Sequence, residues 1–125
     1  MRHFTGMRVG AVLSADDAEV QFLGYGVYQG DEKPPGDLVF LGGLMQDMYD
    51  QHPEFERDHT NPKILLDNGD VVWGCECWGG PEDEIKKRLT DGRKIVEVRI
   101  GPIRDEARQE IVARKEAQKK LEDGE

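Results

Sequence analysis

At 125 residues the chain is long enough for one domain with a real apolar core, and 37% hydrophobic beside 34% charged residues marks it as polar but globular. A formal charge of −9 excludes general binding to duplex nucleic acid, whose phosphates need a local basic surplus. It leaves open a small anionic ligand gripped by two or three arginines, and an acidic surface that occupies a partner protein's basic groove. No apolar run approaches the roughly 18 residues of a membrane span, and "MRHFTGMRVG" carries no signal-peptide core. The expectation is a soluble cytoplasmic protein with no membrane contact.

In chain order, residues 1–6 read as a loose lead-in to a single domain spanning 1–125. "MRVGAVL" (7–13) and "AEVQFLG" (18–24) are β-rich runs around the polar turn "SADD", so a hairpin is predicted. "GYGVYQGDEKPPGD" (24–37) is dense in Gly and Pro and reads as a loop. Asp37 is placed to cap a helix through about Gln51, with Leu38, Leu41, Met45 and Met48 at helical spacing. Gly42 and Gly43 would cost that helix about 1 kcal/mol each relative to alanine. "HPEFERDHTNP" (52–62) reads as a polar connection.

"KILLDNGDVVWGCECW" is the clearest signal in the chain. Asn68-Gly69 suits a two-residue type I′ turn, because both central residues need positive φ. Counting outward predicts the pairs Leu66–Val71, Leu65–Val72 and Ile64–Trp73. "PEDEIKKRL" (81–89) places Pro at the first helical position, acids in the first turn and bases in the last, as the helix dipole prefers. "RKIVEVRI" (93–100) reads as a last strand. "GPIRDEARQEIVARKEAQKKLE" (101–122) is a long charged helix with a thin apolar stripe of Ile103, Ala107, Ile111 and Leu121. The order ββ-α-ββ-α-β-α points to an α+β fold, an antiparallel sheet of about five strands with two or three helices.

The only cysteines and only tryptophans of the chain meet in "WGCECW" (73–78). As one continuous strand this stretch alternates. Val71, Trp73, Cys75 and Cys77 would form an inner face with Leu66 and Ile64. Val72, Gly74, Glu76 and Trp78 would form an outer one, where Gly74 admits a ligand to the backbone and Trp78 stacks on a flat ring. Cys-x-Cys is shorter than the usual zinc spacing, and the other donors are only His3, His52, His59 and carboxylates, so no metal is expected. A catalytic thiol needs a base and a depressed pKa, and no such partner is identifiable. Packing is the simpler role for both thiols. Glu76 is read equally as a solvated residue or a ligand contact.

"GYGVYQGDEKPP" lacks the phosphate-loop pattern G-x-x-x-x-G-K-[ST]. A structural turn explains it more simply than a site, although Tyr25 and Tyr28 offer amphipathic rings and Asp31 and Glu32 polar ends. Arg104 and Arg108 lie one helical turn apart, with Arg99 just before them, a spacing that suits forked bonds to phosphate. The plainer reading pairs them with acids such as Asp105 and Glu110. A helix this charged seldom stands alone, which suggests a homodimer.

"FLGYGVYQGDEKPP" and "NPKILLDNGDVVWGCECWGGPED", about a third of the chain, resemble stretches of small bacteriophage and bacterial proteins. Size, β-rich core and arginine-bearing final helix are similar to those of the Thoeris anti-defence sponge proteins. That resemblance implies a dimer or larger homo-oligomer that binds cyclic ADP-ribose-type immune signals in the host-cell cytoplasm without cleaving them. It implies Trp78 or Tyr25 as stacking residues and Arg104 and Arg108 as phosphate ligands. The expectation is thus a non-enzymatic binding protein without cofactor, for a small anionic nucleotide ligand held by Trp78, Glu76, Gly74, Tyr25, Tyr28, Arg99, Arg104 and Arg108. The alternative is an acidic inhibitor that presents Asp31, Glu32, Glu54 and Glu56 to a protein partner. The least favoured reading is a small hydrolase with Glu76 as general base or Cys77 as nucleophile.

Overall fold

In a computed structural model the described residues are 5–40 and 42–123. Leu41 and His3, named above, lie outside them. The chain forms two compact units, one from residues 1–34 and 59–100 and a second from 35–58 and 101–125. The fold is α+β. Among the described residues it contains a six-stranded sheet, a two-stranded sheet and four helices, the last of them long.

The first unit begins with the expected hairpin, β1 (Arg8–Ala15) against β2 (Glu19–Glu32), antiparallel. Its turn is closed by Asp16, whose N–H donates to the Glu19 carbonyl at 2.9 Å. The Asp16 carboxylate accepts from the N–H groups of Ala18 and Glu19 at 2.8 and 2.7 Å. β2 does not stop at Gly24. It runs on through the glycine-rich stretch read as a loop and pairs there with β5 (Asn61–Leu66). The glycines are strand glycines with particular tasks. Gly30 has φ +99° beside a bulge, a position that suits a residue without Cβ. At Gly26 a Cβ would collide with the Leu65 carbonyl oxygen and lie 2.7 Å from the Leu66 Cα.

The hairpin of β5 and β6 (Val71–Trp73) forms as expected, but one residue out of the predicted register. Leu65 pairs with Val71, Ile64 with Val72 and Lys63 with Trp73. The reason is the turn. The Gly69 N–H donates to the Leu66 carbonyl at 2.9 Å, and the Leu66 N–H to Asp70 at 2.8 Å. Gly69 takes positive φ, +94°. This is a three-residue loop with a glycine bulge, not a type I′ pair. A one-residue slip exchanges the faces of a strand. Ile64, Leu66 and Val72 therefore share the core, and Trp73 lies opposite Lys63 on the other face, with the ammonium 5.7 Å from the ring centroid.

The expected single strand through Cys77 is also corrected. β6 ends at Trp73, residues 74–77 turn, and β7 (Trp78–Pro81) pairs with β1. The strand order β6-β5-β2-β1-β7 puts β6 and β7 at opposite edges. In a flat sheet four strand spacings of about 4.8 Å would separate them by about 19 Å. The link turns tightly, with the Glu76 N–H donating to the Trp73 carbonyl at 2.8 Å, and does not reach that far. The sheet curls instead. Its concave side holds a core of Val9, Ala11, Leu23, Ile64, Leu66 and Val72, with Cys77 and Ile100. The convex side carries Val12, Val20 and Phe22 under Ile85 of α3 (Glu82–Leu89). Gly10 is small because a Cβ there would lie 2.8 Å from Ile85 Cγ2. Pro81 caps α3 rather than occupying its first turn. β8 (Lys94–Glu97) adds to β2 in parallel.

In the second unit the predicted helix 37–51 is interrupted. β3 (Val39–Phe40) and β4 (Gly43–Leu44) form a small hairpin with Gly42 at φ +79°, and α1 covers only Met45–Gln51. The polar connection contains α2 (Pro53–Asp58). The final helix α4 spans Ile100–Asp123, within a residue of expectation at each end. Ile111 of its stripe is buried, while Leu121 is exposed. No helix among the described residues is long and apolar enough to cross a membrane.

Candidate functional site

The curl of the sheet leaves a recess of about 640 Å³ where β5, the 74–77 turn and β7 come together. Val9, Ile64 and Cys77 supply apolar lining, and Gly74 and Gly79 bare backbone. Tyr28, Asp31 and Asn61 supply polar groups. Trp78, 53% exposed, stands at the edge of the recess; it pairs with Val12 and also lines a smaller cavity of about 120 Å³ beside Ile85 and Leu89 of α3. Three sequence-predicted residues, Trp78, Gly74 and Tyr28, thus line one recess. Gly74 serves the architecture first. Its N–H donates to the Pro62 carbonyl at 2.8 Å, and a Cβ would lie 2.6 Å from Pro62 Cδ.

The polar groups are held in place. The Tyr28 hydroxyl donates to Asp31 Oδ1 at 2.5 Å. That bond, then burial, then the charge of Asp31 raise the tyrosine above its ordinary pKa, so it stays protonated. The Asn61 amide nitrogen lies 2.7 Å from His59 Nε2. Burial lowers the His59 pKa, favouring the neutral ring whose Nε2 accepts from that amide. The Asn61 amide oxygen is left on the side of Gly74, 3.1 Å from where a Cβ on that glycine would be. Among the described residues no lysine or arginine lines the recess.

The other expected residues lie elsewhere. Glu76 turns back on its own loop, its carboxylate accepting from the Trp73 N–H at 3.1 Å. Tyr25 packs edge-on against Phe22, with centroids 4.9 Å apart, beneath the Lys86 ammonium. With Arg99 it lines a second cavity of about 560 Å³, where β5 and β8 diverge from the same edge of β2. Arg99 is committed there to a forked bridge with Asp70, at 2.8 and 2.9 Å, which raises its pKa. Arg104 and Arg108 belong to the second unit, both half-buried on α4. Arg108 clasps Asp37 through its carbonyl at 2.8 Å and its carboxylate at 3.3 Å.

Sequence reading did not reach Asn61, and it placed Asp31 in a loop, as a polar end or as one of the acids offered to a protein partner. Both join the recess through pairing of β2 with β5, which brings Asp31 opposite Pro62. The segment 24–37 shows glycines but no alternation that would announce a strand. Of the two thiols, Cys77 joins the apolar core of the first unit. Cys77 is buried, its Sγ 3.5 Å from the Trp73 carbonyl oxygen, and Cys75 is half-buried. Among the described residues no group of three or more His, Cys, Asp or Glu is placed to hold a metal ion. The chain matches no protein-family model, no curated protein and no solved structure.

Proposed function

We propose that this chain is a non-enzymatic binding protein that takes up a small nucleotide-derived molecule, with the flat ring of the ligand against Trp78. One observation carries the reading: a half-exposed tryptophan at the edge of a recess large enough for a purine nucleoside. An exposed tryptophan is costly to leave in water and well suited to stacking. Gly74 and Gly79 add backbone to the lining, the space beside their Cα atoms being taken by Pro62 and Ile64. The polar groups of the recess are tied to each other or to His59, an arrangement that orients a ligand rather than attacking it.

The geometry supports ring stacking better than the expected arginine–phosphate contacts. Arg99 and Arg108 already hold carboxylates, so a phosphate would have to displace Asp70 or Asp37. The ligand class that accompanies this reading is a cyclic ADP-ribose-like signal. Its sequestration in a host-cell cytoplasm by a homodimer or larger homo-oligomer would blunt bacterial immunity. Calorimetry against cyclic nucleotides and ADP-ribose derivatives tests it. Uptake of at least one at a stoichiometry of one per chain, with the compound recovered intact after denaturation, is expected. Silence across the panel from folded protein overturns the reading.

A further inference from the structure

Resting on that reading, we infer that the Trp78 recess selects rings bearing an exocyclic amine, such as adenine, over rings bearing a carbonyl at the same position. Asp31 contributes a carboxylate that receives one bond, from the Tyr28 hydroxyl, and has no cationic partner among the described residues. Its neighbour Glu32, by contrast, meets Lys63 at 3.5 Å. An ionised carboxylate is acceptor-only and offers about four lone-pair positions, so most of its capacity is unused. Asn61 spends its amide nitrogen on His59, which leaves its oxygen, a second acceptor.

With the Asp31 carboxylate and Asn61 so oriented, the recess presents acceptors, and among the described residues no lysine or arginine lines it to offset them. An amine satisfies such a surface. A ring carbonyl turned toward it sets acceptor against acceptor, so discrimination arises from repulsion as well as attraction. The same acceptors turn ligand phosphates away from this recess and toward solvent. One hydrogen bond to a charged acceptor, gained or lost in a partly exposed site, corresponds to about tenfold in affinity.

Adenosine and inosine differ at the relevant position, an amine in one and a carbonyl in the other. Each is titrated into nitrogen-15-labelled protein and followed at the indole N–H of Trp78, with Trp73 as the internal reference. Adenosine is expected to bind about tenfold more tightly than inosine. Asp31→Asn retains an acceptor for Tyr28 and adds an N–H donor, so the ratio is expected to fall to about one or invert; a thermal melt confirms folding. Inosine binding as well as adenosine overturns the inference while leaving ring binding intact. A tenfold preference that survives Asp31→Asn also overturns it. If neither nucleoside moves the indole signal and the wider panel is silent too, the proposed function falls with it.

Discussion

Gly79 of β7 faces Ile64 of β5, and a Cβ on that glycine would lie 3.2 Å from Ile64 Cδ1, although β1 and β2 stand between the two strands in the sheet. In a flat sheet three spacings, about 14 Å, would separate them. The contact measures the curl that makes the recess. Gly79→Ala requires Ile64 to give by a few tenths of an ångström, which a side-chain end can do. We expect a stability loss of about 1 kcal/mol in urea unfolding and weaker uptake of any ligand in the recess.

Gly26 is the contrasting case, because the obstacle there is backbone. Gly26→Ala drives a methyl into the Leu65 carbonyl of the paired strand. A loss of about 3 kcal/mol is expected, measured by the same unfolding. Gly101→Ala serves as control. Among the described residues, beyond its chain neighbours and its own helix backbone, no atom stands within 4 Å of a Cβ at that position, which lies in the first turn of α4. It is expected to be neutral or stabilising by up to about 1 kcal/mol.

The two tryptophans should separate stability from binding. Trp73 is 6% exposed and Trp78 53%. Trp73→Ala is expected to cost about 3–5 kcal/mol. Trp78→Ala should cost less than about 1 kcal/mol while reducing affinity for a ring ligand about tenfold or more. Calorimetry on folded Trp78→Ala, beside thermal melts of both variants, checks the pair.

The hairpin turn carries a pH dependence. Backbone N–H groups of Ala18 and Glu19 hold the Asp16 carboxylate below its ordinary value of 3.8, against a smaller opposing effect of desolvation. A group whose pKa is depressed by folding stabilises the fold above its unfolded pKa, and loses that contribution as pH falls through the folded value. Wild type should therefore exceed Asp16→Ala in melting temperature at pH 7. The gap is expected to narrow as the pH drops below about 4. A gap that widens on acidification would contradict the assignment.

Thiol reactivity should follow burial. Cys77 is enclosed, with its Sγ against the Trp73 carbonyl oxygen, whereas Cys75 is half-buried on the turn. Limited iodoacetamide treatment of native protein is expected to label Cys75 at least about ten times faster. Peptide mass spectrometry reads the ratio, and both sites should label equally in urea.

The sequence by itself determined those features that short-range chemistry decides. Asp16 stands where a carboxylate can bond two successive N–H groups, Asn68-Gly69 supplies a positive φ its hairpin needs, and the acid-to-base polarity of 82–89 suits a helix dipole. The α+β class follows from such local elements. Tertiary structure alone decided which glycines turn and which lie flat. Gly26 is forced by a strand arriving from forty residues away in sequence, and no neighbour of Gly26 announces it. Likewise a single extra loop residue, Asp67, moved the β5–β6 register and exchanged the faces of Val72 and Trp73. Asp31, Asn61 and Trp78 share a recess only because strand pairing and curl bring distant segments together, which no local rule of spacing contains.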